Sequence, residues 1–375
     1  MTEVGPKRNR LLWLLVLLCS GLVGCATLER SKGAIELAKS NPSLATCDCK
    51  IGSIASGKLA AEEETRLWLA DEGGVHELLP DGQLRRVWKT PRFARLLRLE
   101  AADLDGDGIS EWIVLYDTGR FRSHVLTWNG DTWEASKPWA GFLRPVENEA
   151  GGVDLLGQAP GGRKFHAETV SLVHREGDGK LRAGERVGTL AGLPLYDFFW
   201  TGSPKKRLFV LEANGSITER DPRSPKAVLW RLDEKIVARP IEIRRQSRDM
   251  LGQSEDERVR FAPVPVVGLN AAGEEEVLVV TGPPVPVFAF ENLRISAGGD
   301  ARVFSVGPRG LDERVRSPLL GRDLSASWAG EALGRTLWIA AVWTKDGGGF
   351  SKPESRVFRL DPATGDPIDW ENPAP

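Results

Sequence analysis

A short strand-like motif recurs along this chain, and its spacing constrains the fold more than any other feature. Each copy is a run of apolar, β-favouring residues that begins with a polar or charged side chain. Five copies are visible: Arg66–Ala70, Glu111–Leu115, Arg207–Leu211, Glu276–Val280 and Thr336–Ala340. The second copy begins 45 residues after the first, whereas the third begins 96 residues after the second. We therefore expect a sixth, diverged copy between Gly152 and Val173.

Tight turns follow several of these strands and lead into a second strand. The turns contain Pro80-Asp81-Gly82, Asn129-Gly130-Asp131 and Ala213-Asn214-Gly215, and Asn, Asp and Gly accept the left-handed dihedrals that tight hairpins require. A repeat of roughly 40–50 residues with several short strands is typical of β-propeller blades. The sequence therefore predicts an all-β fold, a β-propeller over residues 51–375, with six blades visible and room for seven.

Two segments interrupt this repeat. Residues 236–260 are rich in charge, which predicts a solvated excursion from the propeller. Residues 282–300 open with a proline-rich stretch that is incompatible with a central strand. If there are six blades, these two insertions account for the surplus length.

An acidic loop stands immediately before the second copy of the motif. Asp103, Asp105 and Asp107 alternate with other residues, two glycines permit positive φ, and Glu111 follows. Alternating carboxylates in such a loop can surround a hard cation, and calcium is the natural ligand. The opening is similar to that of an EF-hand, but β-forming residues follow where an EF-hand continues as a helix. A strand is therefore expected to leave this loop.

The stretch Leu97–Val114 resembles an FG-GAP/VCBS repeat, the unit of integrin-like β-propellers. The resemblance implies that the loop joins two strands of one blade and holds calcium in a structural role. By that pattern, the ligands are the side chains of Asp103, Asp105, Asp107 and Glu111, together with the Ile109 carbonyl. The related loop at 268–276 keeps fewer acids, so we expect one calcium site.

The N-terminus has the order of an export signal. Basic residues among the first ten precede an apolar run at 11–18, too short for a comfortable membrane span. The following Leu22–Cys25 resembles the lipobox of bacterial lipoproteins, which implies a signal peptide over 1–24, acylation of Cys25 and anchoring in a membrane. The alternative is an ordinary signal peptide with an incidental cysteine. Ala26 after the cysteine favours the outer membrane.

Residues 25–50 are predicted to be a tether, with one short helix around 29–39. This segment contains Cys47 and Cys49, the two cysteines that remain beyond Cys25. An exported compartment permits oxidation, so the pair forms a local or an intermolecular disulfide, or both cysteines remain free thiols.

Catalytic motifs are absent from the sequence. The four histidines, His76, His124, His166 and His174, do not belong to a recognisable catalytic motif. There is no nucleophile elbow, phosphate-binding glycine loop or His-Glu-x-x-His segment. The net charge of −2 argues against nucleic acid, which requires a basic face.

Thirteen tryptophans leave two interpretations, because indole faces either stack on sugars or pack between blades. Recurrence late in the repeats, at Trp88, Trp133 and Trp230, favours packing between blades.

These observations predict a non-enzymatic envelope lipoprotein that presents propeller loops to a protein or glycan partner. One alternative is a scaffold in outer-membrane protein assembly, because Arg86–Trp88, Val228–Trp230 and Asp361–Gly365 resemble parts of PQQ-type repeats. The other alternative is a carbohydrate-active or quinone-dependent propeller enzyme, since one fold can host several functions.

Overall fold

A computed structural model gives the fold of the chain. It describes residues 43–148, 150–161, 166–202, 206–234, 236, 241–248, 254–261, 263, 265–270, 272–282, 284–285, 295–296, 299–321, 323–332, 335–346 and 353–368. The predicted signal peptide, Cys25 and the predicted helix at 29–39 lie outside these residues.

The described residues form six antiparallel sheets arranged as the blades of a β-propeller. Strand β1 (Ala45–Cys47) belongs to the last blade. Blade 1 consists of β2 (Ser53–Gly57), β3 (Arg66–Asp71), β4 (Gly74–Leu78) and β5 (Leu84–Lys89). Blade 2 consists of β6 (Arg95–Ala102), β7 (Glu111–Asp117), β8 (Phe121–Trp128), β9 (Trp133–Ala135) and β10 (Trp139–Ala140). Blade 3 consists of β11 (Phe142–Glu147), β12 (Val153–Gln158), β13 (Val170–Arg175) and β14 (Leu181–Arg186).

The remaining three blades follow in chain order, with two short hairpins added. Blade 4 consists of β15 (Phe198–Thr201), β16 (Arg207–Leu211), β17 (Ile217–Asp221) and β18 (Ser224–Leu232), and is followed by a hairpin of β19 (Ile241–Arg248) and β20 (Ser254–Phe261). Blade 5 consists of β21 (Val266–Leu269), β22 (Glu275–Val280), β25 (Ala301–Gly307) and β26 (Gly310–Arg316), with the pair β23 (Pro284–Val285) and β24 (Ile295–Ser296) inserted. Blade 6 consists of β27 (Asp323–Ala332), β28 (Arg335–Asp346), β29 (Pro353–Leu360), β30 (Pro367–Ile368) and β1.

The prediction of an all-β propeller is confirmed, and the number of blades is six. The recurring motif is the second strand of each blade, namely β3, β7, β12, β16, β22 and β28, so the diverged sixth copy exists as β12. The two interruptions contain the two extra hairpins. In the described part of the chain, the one helical element is a 3-10 turn at Gly188–Leu190.

Most of the described residues of the second strands are buried, because each second strand has a strand on either side and a neighbouring blade above and below. In β7, residues 111–116 are all buried. A strand buried on both faces is read as a continuous apolar run rather than an alternating one. This is why the motif is visible in the sequence.

Apolar side chains fill the spaces between neighbouring blades. Blades 1 and 2 share a core that includes Trp68, Val75, Trp112 and Val114. Further buried clusters join blades 2, 3 and 4, blades 4 and 5, and blades 5 and 6. A cluster of Leu44, Leu67, Ile339 and other residues joins blade 6 to blade 1, which closes the ring.

Both ends of the described chain pair with the same strand, β29. Strand β1 pairs with residues 355–357, and β30 pairs with Arg359 and Leu360. Leu44 and Ala45 are buried in the cluster between blades 6 and 1. The folded body therefore begins before Ile51, the predicted start of the propeller, because β1 supplies part of the last blade.

Cys47, the last residue of β1, forms a disulfide with Cys49. The Cys49 carbonyl accepts a 2.7 Å hydrogen bond from the Ser355 hydroxyl, and Ser355 Oγ in turn accepts one from the Ile51 amide at 3.0 Å. Of the states left open by the sequence, the structure has the local disulfide.

Candidate functional site

The acidic loop connects β6 to β7, as the sequence predicts. Its two glycines have positive φ, 80° at Gly106 and 83° at Gly108, a conformation that costs glycine little. Both amides turn inward to the Asp103 carboxylate: Gly106 N–H donates to Oδ1 at 2.7 Å and Gly108 N–H to Oδ2 at 2.9 Å. The chain thus curls around Asp103.

Three of the predicted ligands meet at the centre of this loop. Carboxylate oxygens of Asp103, Asp105 and Glu111 lie within 4.8 Å of one another. Asp107 is exposed and is not in this group, and its Oδ1 accepts the Ile109 amide at 2.7 Å. Oxygen ligands at such separations are what calcium takes, so the donor set fits a hard cation.

Glu111 is the buried member of the group. Its residue exposure is 2%, and its Oε2 accepts the Leu104 amide at 2.9 Å. Burial raises the pKa of Glu111 to about 7, against the Leu104 hydrogen bond and together with the negative charges of Asp105 and Asp107. A cation at this position would favour the ionised carboxylate.

Equivalent positions in two other blades carry a cation of their own. Arg66 begins β3 and contacts Glu77 Oε1 at 3.2 Å; Arg207 begins β16 and contacts Glu219 through Nε at 2.8 Å and Nη2 at 2.6 Å. Glu111 begins β7, and within the described part of the chain it has no basic partner. Blade 2 therefore has a carboxylate where blades 1 and 4 have an arginine.

Blade 5 retains the glutamate but neutralises it. Glu276 is buried and forms an ion pair with Arg314, and the Asn270 amide donates to Glu276 Oε1 at 3.3 Å. In blade 5, the carboxylate that corresponds to Glu111 is thus already paired with an arginine. This geometry supports the expectation of a single site, in blade 2.

The acidic loop packs against the loop between β2 and β3 of blade 1. The Ser110 amide donates to the Lys58 carbonyl at 2.9 Å, and the Lys58 amide donates to Ser110 Oγ at 3.1 Å. A Cβ at Gly108 would lie 2.9 Å from the Ala61 Cβ. The conformation of one loop therefore constrains the other.

A cavity of about 430 Å³ opens between blades 1 and 2 beside these loops. Leu59 and Glu63 of the β2–β3 loop line it, together with four tryptophans: Trp68, Trp112, Trp128 and Trp133. Its charged lining also includes Arg66, Glu77, Arg85 and Arg86. The sequence alone does not reveal this cavity, because its residues come from two blades that are brought together only by the fold.

The late tryptophans of the repeats do pack between blades. Trp88 of blade 1 stacks on Tyr116 of blade 2 at 5.9 Å between ring centroids. Trp133 of blade 2 contacts Trp68 of blade 1 at 6.4 Å. Trp230 of blade 4 lies against Gly310 of blade 5. The packing interpretation is confirmed, although Trp133 also lines the cavity.

Among the described residues, His76 forms a buried pair with Asp71 that the sequence did not suggest. His76 Nε2 lies 3.2 Å from Asp71 Oδ2. Burial disfavours the Asp71 carboxylate, but the hydrogen bond and charge of His76 and the amides of Gly73 and Gly74 hold its pKa below the usual range. Gly73 lies in the turn between β3 and β4 and Gly74 begins β4, so the pair fixes that turn.

Within the residues that the structure describes, no helix has the length and apolar character needed to cross a bilayer.

No family model matches the chain, and no curated protein matches it at a significant level. Solved structures do match. BBS1N, in a crystal structure with ARL6DN soaked with lead, is 9% identical, with 84% of this chain and 94% of that chain covered and a TM-score of 0.47. The GH43_1 enzyme from Xanthomonas citri, complexed with xylose, is 12% identical, with coverages of 92% and 98% and a TM-score of 0.41. Saccharomyces cerevisiae Sqt1 is 10% identical, with coverages of 86% and 99% and a TM-score of 0.36.

One expectation from the sequence is corrected by these comparisons. The prediction that the protein is not an enzyme is wrong as drawn, because structures similar to this chain include the GH43_1 enzyme. The absence of known catalytic motifs from a sequence does not exclude catalysis, since the residues of a site can come from distant blades.

Proposed function

We propose that this chain is a lipid-anchored binding module of the bacterial cell envelope, whose loops at one end of blades 1 and 2 take a glycan or protein partner. One calcium ion, held by Asp103, Asp105 and Glu111, braces these loops. The lipid anchor is Cys25, and the outer membrane is the expected location.

The observation that supports this proposal is the arrangement of the loop end. The acidic loop of blade 2 is hydrogen-bonded to the β2–β3 loop of blade 1, and that loop lines the cavity. A cation in the first loop would hold the second in place, and preorganised loops bind with a smaller loss of entropy. Loops on a rigid scaffold are also where binding residues concentrate.

Site-specific photocrosslinking of the full chain in its native host tests the proposal. One crosslinker replaces Asp131, which is exposed in the turn between β8 and β9 near the cavity. The matched control replaces Arg120, which is exposed in the turn between β7 and β8 at the other end of the same blade. We expect a specific adduct from position 131 and none from position 120.

The identity of the adduct separates the candidates. A surface protein or a glycan supports the proposal, whereas components of β-barrel assembly would favour a scaffold role in outer-membrane protein assembly. Adducts from position 120 alone would place the binding surface at the end of the blade away from the cavity and would contradict the proposal.

A further inference from the structure

We propose that the cavity between blades 1 and 2 is an oligosaccharide-binding site, in which a sugar ring lies against Trp128 and Trp133. This inference rests on the proposed function in one respect: it names the ligand class of the binding module. It requires neither the lipid anchor nor an occupied calcium site.

The aromatic wall of the cavity is held rigidly. Trp133 stacks on Trp112 with 3.7 Å between ring centroids, and Trp128 contacts Trp133 at 5.3 Å. Trp112 is fully buried, whereas Trp128 and Trp133 remain partly exposed. A rigid indole surface offers a large contact area at little cost in conformational entropy. The apolar C–H face of a pyranose is a ligand surface of matching shape and polarity.

One polar atom in this wall lacks a partner. Trp112 lines the cavity, and its Nε1 is buried without a hydrogen-bond acceptor in the described part of the chain. A buried donor without an acceptor costs about 1–3 kcal/mol, and such groups in native proteins call for a specific explanation. The atom has almost no accessible surface, so a sugar oxygen would become its acceptor only if the indole of Trp133, which stacks on Trp112, moved aside.

The lining of the cavity also carries an ordered set of charges. The Glu77 side chain, 8% exposed, accepts from Arg66 Nη1 at 3.2 Å and from Arg85 Nε at 3.2 Å. Arg66 Nη2 also contacts Glu63 at 2.8 Å. Each carboxylate accepts hydrogen bonds and each guanidinium donates them, and their mutual ion pairs fix both in position.

This mixture of carboxylates and guanidinium groups favours some classes of ligand over others. Sugar hydroxyls both donate and accept, so they can bind carboxylates and guanidinium groups along one face. A purely apolar ligand would leave these charges desolvated. The volume of about 430 Å³ lies within the roughly 300–1,000 Å³ of small-ligand sites.

Titration of the full-length chain in detergent with three tetrasaccharides tests the inference. The probes are cellotetraose, tetra-N-acetylchitotetraose and tetragalacturonic acid, followed by calorimetry and by tryptophan fluorescence. We expect at least one to bind with a Kd below about 1 mM. Trp128→Ala should raise that Kd by about tenfold, because aromatic contacts dominate such sites.

Trp230→Ala is the matched control, because Trp230 packs on Phe209 in blade 4, away from the cavity. It should bind like the wild type. If Trp128→Ala does not fold by its melting curve, Arg86→Ala at an exposed position of the cavity replaces it, with an expected rise of at least about threefold in Kd.

Two results would overturn the inference: no binding of any probe with a Kd below about 1 mM, or an unchanged Kd in the folded cavity variants. The proposed function fails separately. A crosslinked partner at position 131 without sugar binding would retain the binding module and remove the sugar site. Sugar binding without any crosslinked partner would retain the sugar site and remove the proposed binding module.

Discussion

Among single residues, the blades differ in the side chain near the start of the second strand. Arg66 and Arg207 are paired with glutamates of the next strand, and Glu276 is paired with Arg314. Glu111 lies among other carboxylates instead. Burying a charge without a partner of opposite sign is costly. This is the physical argument for a cation in blade 2.

The first prediction concerns Glu111→Gln and calcium. Wild-type protein should melt at a higher temperature in calcium than in chelator, by the equivalent of about 2.7 kcal/mol at one hundred times Kd. The variant should lose that increase. In chelator it should be as stable as the wild type or more stable, because the substitution removes a buried carboxylate that burial and neighbouring charges disfavour.

Differential scanning calorimetry in both solutions measures these shifts. Glu276→Gln is the matched control at the related position, and it should lower stability equally in calcium and in chelator, since it breaks the contact with Arg314. Identical wild-type melting in calcium and in chelator would refute the site.

The second prediction concerns His124 and acid stability. Burial and the charge of Arg122 hold the pKa of His124 below its usual value of 6.5, against the hydrogen bond between Nδ1 and the Ser136 carbonyl at 2.9 Å. The unfolded chain therefore takes up a proton near pH 6.5 that the folded chain does not. The stabilisation from the neutral His124 is complete above pH 6.5 and is lost as pH falls toward the folded pKa.

His124→Gln should accordingly reduce the loss of stability between pH 7 and pH 5, by up to about 1.4 kcal/mol per pH unit within the titration window. Urea denaturation at a series of pH values measures this slope. His174→Gln, at an exposed position, controls for the loss of a histidine in general. A His124→Gln slope equal to that of the wild type would show that this residue does not set the acid sensitivity.

At the scale of elements, the outer strand of blade 6 is divided between the two ends of the described chain. Strands β1 and β30 pair with different parts of β29. Because β1 lies far from β29 in sequence, this pairing closes a long loop. The entropy cost of closing a loop rises only slowly with its length. Ring closure thus depends on a three-residue strand and the buried side chains beside it.

The third prediction tests that closure through Leu44→Ala. Leu44 is 6% exposed within the cluster between blades 6 and 1, so its truncation should cost about 2–5 kcal/mol. Leu229→Ala is the matched control in blade 4, where the leucine is 61% exposed, and it should change stability by no more than about 0.5 kcal/mol. Guanidinium unfolding measures both. A Leu44→Ala cost as small as that of the control would mean that β1 does not secure the ring.

At the scale of the whole molecule, the six blades make a closed ring with a buried cluster at every junction. Function in such a ring is decided by side chains from adjacent blades and not by the architecture. The cavity between blades 1 and 2 illustrates this, because neither blade alone contains it. The propeller architecture is therefore no reason to exclude an enzyme.

The fourth prediction concerns anchoring of the whole chain. In bacteria fed a fatty-acid probe, the wild-type chain should be labelled and sediment with membranes, because Leu22–Cys25 resembles a lipobox. Cys25→Ala should lose the label and most of the membrane fraction, since acyl chains supply about 0.8 kcal/mol per buried CH₂. Cys49→Ala is the control cysteine, and its label should be unchanged. Unchanged labelling of Cys25→Ala would rule out this anchor.

The sequence by itself determined the all-β class, the propeller and the position of its recurring strands. It could do so because strands in the middle of a blade are buried on both faces and so remain continuous apolar runs, as in Glu111–Leu115. The acidic loop could also be predicted from the sequence, because its glycines and carboxylates lie within a few consecutive residues.

Tertiary structure decided what depends on contacts between distant residues. The pairing of β1 with β29, the ion pair of Glu276 with Arg314 and the cavity lined by Trp68 and Trp128 join residues far apart in the chain. A local pattern carries no record of such contacts, since burial and charge pairing are fixed only when the blades pack together. That is why the sequence located the acidic loop but missed the cavity beside it.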